Sequence, residues 1–109
     1  DNCIQLQNID IQSVTTGGGS DTIIMRAGQV GLVDTGAGDD SIDVARATIQ
    51  GISTGPGNDV ITIRQLGGST SGVVVDGGAG CDMVTANEFN SALIITGGSG
   101  IDCCFSDQF

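Results

Sequence analysis

Short apolar and polar alternations, three or four residues long, recur along this chain between clusters of glycine. In Ser41-Ile42-Asp43-Val44 the apolar pair falls on one face and the polar pair on the other, which is the two-residue period of a β-strand. Ala45 to Thr48 reads as a looser corner, and Ile49-Gln50-Gly51-Ile52 as a second short strand returning from it. The next segment repeats the plan with Val60 to Ile63, a corner through Gly67 to Gly72, and Val73 to Val75. The strands are β-branched and short, and no stretch has the apolar period of an amphipathic helix.

A turn precedes each first strand: Gly17 to Asp21, Gly36 to Asp40, Gly55 to Asp59, Gly78 to Asp82 and Gly98 to Asp102, all Gly-x-Gly-x-Asp. The aspartates follow one another at 19, 19, 23 and 20 residues. A near-constant period of this size marks coils stacked on one another. The predicted fold is all-β: a single parallel β-solenoid of about five short coils over residues 1–109. Residues 1–15 form a partial coil, 16–102 the repeats and 103–109 a half coil. The inner column predicted from the pattern is Ile23, Ile42, Ile61, Val84 and Cys104, with Met25, Val44, Ile63 and Ala86 beside it. Asp1-Asn2-Cys3 is placed in the same Asp-x-apolar register, which turns Cys3 inward. The extra residues of the 23-residue spacing are placed in a loop opposite the turns.

Composition narrows the function. Thirteen acids stand against three arginines and no lysine, a net charge of −10, so phosphate-neutralising nucleic-acid binding is excluded. No apolar run approaches the ~20 residues of a membrane span. Without His, Lys or Tyr there is no nucleophile beside a base, so the chain is not read as an enzyme. Four cysteines in so small a chain point to an oxidising, extracellular or cell-surface setting. The start at Asp1 suggests a processed chain or a piece of a longer one.

The excess of acid suggests cations in the turns. Glycine permits close backbone approach and inward carbonyls. Aspartate adds a hard anionic oxygen, and together they can supply the six or so oxygens of a Ca²⁺ site. The metal set predicted on this basis is Asp21, Asp40, Asp59, Asp82 and Asp102 with Gly17, Gly19, Gly36, Gly38, Gly55, Gly57, Gly78, Gly80, Gly98 and Gly100. The competing reading is that these are tight turns with aspartate capping the backbone. Thr16, Thr35, Thr54 and Thr96, with Asp76 replacing one, form a second column, read as ordinary strand residues rather than as bridges between coils.

Gly77-Gly78-Ala79-Gly80-Cys81-Asp82-Met83-Val84 and Gly97-Gly98-Ser99-Gly100-Ile101-Asp102-Cys103-Cys104 resemble the RTX-type calcium-binding β-roll repeat. The spacing departs from it, with one such turn per coil, and in this is similar to the calcium-dependent solenoid domains of large bacterial adhesins. The resemblance implies Ca²⁺ along one row of turns. The expected function is a structural solenoid stacking end to end with copies of itself. The alternative is an ice- or glycan-binding or extender module of an adhesin. The variable turn positions form no regular outward rank of the kind ice binding uses.

Cys81 and Cys103 are disulfide candidates on neighbouring coils. Cys3 and Cys104, both expected inward at opposite ends, are candidates for a bond between molecules. Arg26, Arg46 and Arg64 are expected to form a ladder on one corner, which in the alternative reading takes an anionic glycan.

Overall fold

The computed structural model describes residues 1–64, 73–87, 93–96, 98–100 and 103–106. It is all-β, a parallel β-solenoid of about four turns. Three long strands come first: β1 (Cys3–Thr15), β2 (Thr22–Asp34) and β3 (Ser41–Ser53). The later coils are split into β4 (Val60–Arg64) and β5 (Val73–Asp76), then β7 (Met83–Asn87) and β8 (Leu93–Thr96), with β10 (Cys103–Ser106) last. Two-residue strands β6 (Ala79–Gly80) and β9 (Ser99–Gly100) lie in the turns and pair with each other.

Each long strand makes both walls of its coil. It bends where the backbone takes positive φ: at Asn8 in β1, at Ala27 and Gly28 in β2, and at Arg46 in β3. The expected strand pair Ser41 to Val44 and Ile49 to Ile52 is therefore one continuous strand, folded at Arg46 within the expected corner. One wall stacks β1-β2-β3-β4-β7-β10, all parallel. In the other, the far halves of β1, β2 and β3 continue into β5 and β8. The stack has about four turns where five coils are expected. The extra residues of the long coil fall between β4 and β5, and lie outside the described residues.

The core forms between the walls. Ile23, Ile42, Ile61 and Val84 stand opposite one another in successive coils and are fully buried. Met25, Val44 and Ile63 form the adjacent buried column. Val30, Val33, Ile49, Ile52, Val73 and Val75 cover them from the other wall. Each such side chain contributes roughly 1.5–3 kcal/mol on burial. Cys104 pairs across from Val84 and Ala86 from Ile63, so the predicted inner register holds along the stack.

The first coil is shifted by one residue from the expected register. Cys3 pairs with Thr22, not Ile23, and Asn2 takes the place of the aspartate. A one-residue slip changes the face of every side chain, so Ile4 and Leu6 pack against the core and Cys3 is exposed. The expected inward placement of Cys3 is therefore corrected: it lies on the outer face with a free thiol. The arginines also separate. Arg26 and Arg64 share a column with Ala45 between them, while Arg46 occupies the bend column of Asn8 and Ala27. A ladder of three does not form, because Arg46 lies six residues past its aspartate and the others five.

Candidate functional site

The Gly-x-Gly-x-Asp turns stack in register along one edge, joined by bridges Gly18 to Ala37 and Pro56 to Ala79. Both glycines of each described turn have positive φ. Their second role is steric. A Cβ at Gly36, Gly38, Gly55, Gly57, Gly78, Gly80, Gly98 or Gly100 would overlap the carbonyl oxygen of the equivalent glycine one coil earlier. The carbonyls thus point along the stack, onto the next coil, and not into the turn. Those of Gly17, Gly55 and Gly78 accept the N–H of Ala37, Ala79 and Ser99.

The aspartates point inward. Asp21, Asp40, Asp59 and Asp82 are 1–2% exposed. The N–H of Asn2 donates to Asp21 Oδ1 (2.6 Å), Asp21 N–H to Asp40 Oδ1 (2.8 Å), Asp40 N–H to Asp59 Oδ1 (2.8 Å) and Asp59 N–H to Asp82 Oδ1 (3.0 Å). Each carboxylate therefore holds the backbone of the coil before it. The second oxygens, Oδ2, of Asp21, Asp40 and Asp59 are buried and accept no hydrogen bond.

The threonines do bridge coils, contrary to their reading as ordinary strand residues. Thr16 Oγ1 donates to Thr35 O (3.0 Å), Thr35 Oγ1 to Thr54 O (3.3 Å) and Thr54 Oγ1 to Gly77 O (2.9 Å). The column is Thr16, Thr35, Thr54 and Gly77. Asp76 and Thr96 belong one position earlier, opposite each other and in line with Asp34 and Ser53. Where glycine replaces threonine at position 77, the Asp82 carboxyl fills the room, since a Cβ there would lie 2.6 Å from its Oδ2.

A second ladder runs along the outside of the turn. Ser20 N–H donates to Asp1 Oδ1 (2.9 Å), Asn58 N–H to Asp39 Oδ1 (2.8 Å) and Cys81 N–H to Asn58 Oδ1 (2.9 Å). Here each side chain holds the coil after it, the reverse of the inner ladder. The sequence signal was an Asp or Asn just before the repeat position in three coils: Asp1 before Asn2, Asp39 before Asp40 and Asn58 before Asp59.

The inner row titrates unevenly. Asp21 is held below the usual carboxylate value by the Thr16 hydroxyl, against the effect of burial. Asp59 is pushed up by burial, and the neighbouring Asp82 and Asp40 carboxylates push the same way. A mid-stack carboxylate thus lacks a counter-charge.

Asp102 lies outside the described residues. The Cys81–Cys103 bond is not formed, since Cys81 carries a free, exposed thiol. Cys81 stands in the Asp39 and Asn58 column, and Cys103 two positions further on, opposite Met83. One coil rise and two residues along a strand separate their Cα atoms by ~8 Å, beyond disulfide reach. Among the described residues no three His, Cys, Asp or Glu groups converge on one point, and no helix is long and apolar enough to cross a membrane. Comparison with family models, curated proteins and solved structures returned no match.

Proposed function

We propose that this is a structural β-solenoid of a cell surface or extracellular assembly, locked by Ca²⁺ along its inner aspartate row. The observation that carries the reading is the set of buried Oδ2 atoms on Asp21, Asp40 and Asp59, which accept no hydrogen bond. Leaving charged oxygens buried and unpartnered is costly. A hard divalent cation supplies the positive charge, and carboxylate oxygen is its preferred ligand. Asp21, Asp40, Asp59 and Asp82 would hold it in the described turns, one carboxylate per coil. The turn glycines contribute by letting the coils approach closely.

Copies stack end to end in this reading. Among the described residues β1 pairs only with β2, leaving a 13-residue strand edge along the first coil. Such an edge is a template for a further strand.

The test is calorimetric titration of Ca²⁺ with thermal melts in Ca²⁺ and in chelator. Each occupied site at a hundredfold excess over Kd adds about 2.7 kcal/mol, so the melt shifts upward by tens of degrees if several sites fill. Asp40→Asn lowers the stoichiometry. Identical melts with and without chelator, and no heat of binding, overturn the calcium reading. Electron microscopy at high concentration tests stacking separately: filaments support it and single particles refute it.

A further inference from the structure

We propose that the outer face of the second wall binds an extended peptide segment carrying an aliphatic and a basic residue two positions apart. Leu32, Gly51 and Val74 stand opposite one another on three successive coils. Leu32 is 58% and Val74 44% exposed, among the most exposed large apolar residues described. Gly51 between them has no side chain and is itself buried under the edge of Leu32, and a shallow groove of about 280 Å³ runs past it. The notch is tight: a Cβ at Gly51 would lie 3.1 Å from Leu32 Cδ2.

Two residues further along the same strands comes a second outward column, Asp34, Ser53 and Asp76. All three are exposed, and Asp34 and Asp76 flank the groove. Asp76 spends one oxygen on the N–H of Gly78 and keeps the other. The surface is thus an apolar notch with a hydroxyl and two carboxylates ~7 Å along the strand. In an extended peptide, side chains i and i+2 share a face at the same spacing. A leucine at i covers Gly51, and a lysine at i+2 sits over Ser53 between the two carboxylates. The charge fits as well, since a chain of net charge −10 attracts a basic segment.

The inner aspartates take no part, so this site stands or falls apart from calcium. The experiment is titration of ¹⁵N-labelled protein, in calcium buffer at physiological salt, with a capped peptide containing Leu-Ser-Lys. The expected result is saturable shifts of the Gly51 and Ser53 amides at millimolar peptide. A Leu-Lys-Ser peptide of the same composition binds more weakly. Asp34→Asn and Asp76→Asn each weaken binding roughly two- to fivefold, while both exposed changes leave the fold intact by circular dichroism. Gly51→Val abolishes the shifts by filling the notch. Equal binding of both peptides, or shifts confined to the turn edge, reduces the surface to diffuse charge attraction and overturns the proposal, as does the absence of any shift.

Discussion

The two edges of each coil are built by different rules. The turn edge is glycine-rich and repeats closely, while the bend edge turns on Asn8, Ala27 and Arg46, three unrelated residues with positive φ. At the turn the backbone of one coil lies directly on the next, so a side chain at a turn glycine has no space. At the bend the backbone drops out of the ladder for one residue, and Asn8, Ala27 and Arg46 carry their side chains there, although the next residue of β2, Gly28, lies against Ile9 as closely as a turn glycine lies against its neighbour. Left-handed backbone costs a non-glycine residue roughly 1–2 kcal/mol, and the bend bears that cost without demanding glycine. Steric closeness, more than dihedral strain, is what writes a repeat into a solenoid sequence.

The contrast breaks most sharply with alanine at one edge and glycine at the other. Gly57→Ala places a methyl on the Gly38 carbonyl from a backbone at φ +153°. The expected loss is about 4 kcal/mol or more, or failure to fold, read from denaturant melts. Ala27→Gly at the bend relieves left-handed strain and is expected to change stability by less than about 1 kcal/mol. Similar losses at both edges would remove the distinction.

Next in size is the hydroxyl ladder. Thr35 is fully buried and donates to Thr54 O. Thr35→Val keeps the shape and leaves that carbonyl unpaired, for an expected loss of about 1–2 kcal/mol. Thr15→Val, at an exposed position at the end of β1, serves as the control.

The smallest effect concerns pH, measured without divalent cations. Asp59 has a raised value in the fold. Its contribution is therefore full below the unfolded value of about 3.9 and is lost as pH rises through the folded one. Asp21 has a lowered value. Its contribution is present above about 3.9 and is lost as pH falls through the folded one. Asp59→Asn should flatten the decline in stability towards neutral pH, and Asp21→Asn the decline in acid. Urea midpoints across pH 2 to 7 read both.

The wall strands, the inner column from Ile23 to Val84 and the stacking of the turns were legible, because alternation and period are properties of sequence alone. The register of Cys3 was not. Asp1 resembles the repeat aspartates in type, but Asn2 holds the corresponding place, and only pairing with β2 distinguishes the two. The threonine column was misaligned for a related reason. Asp76 and Thr96 lie near the turns, but the residue aligned with Thr54 is Gly77, which has no hydroxyl to mark it. The outer ladder went unread because its acceptors, Asp1, Asp39 and Asn58, differ by name and share only a side-chain oxygen.

The two turn ladders point in opposite directions, and this governs how the molecule comes apart. Every inner carboxylate restrains the coil before it, and every outer one the coil after it. An interior coil is therefore clamped from both sides, and a terminal coil from one. Unfolding then resembles the fraying of a rope: it starts at an end and advances coil by coil. A load along the stack axis passes in series through every pair of coils, since the ladders that join coils run parallel to that axis, and the weakest joint gives first.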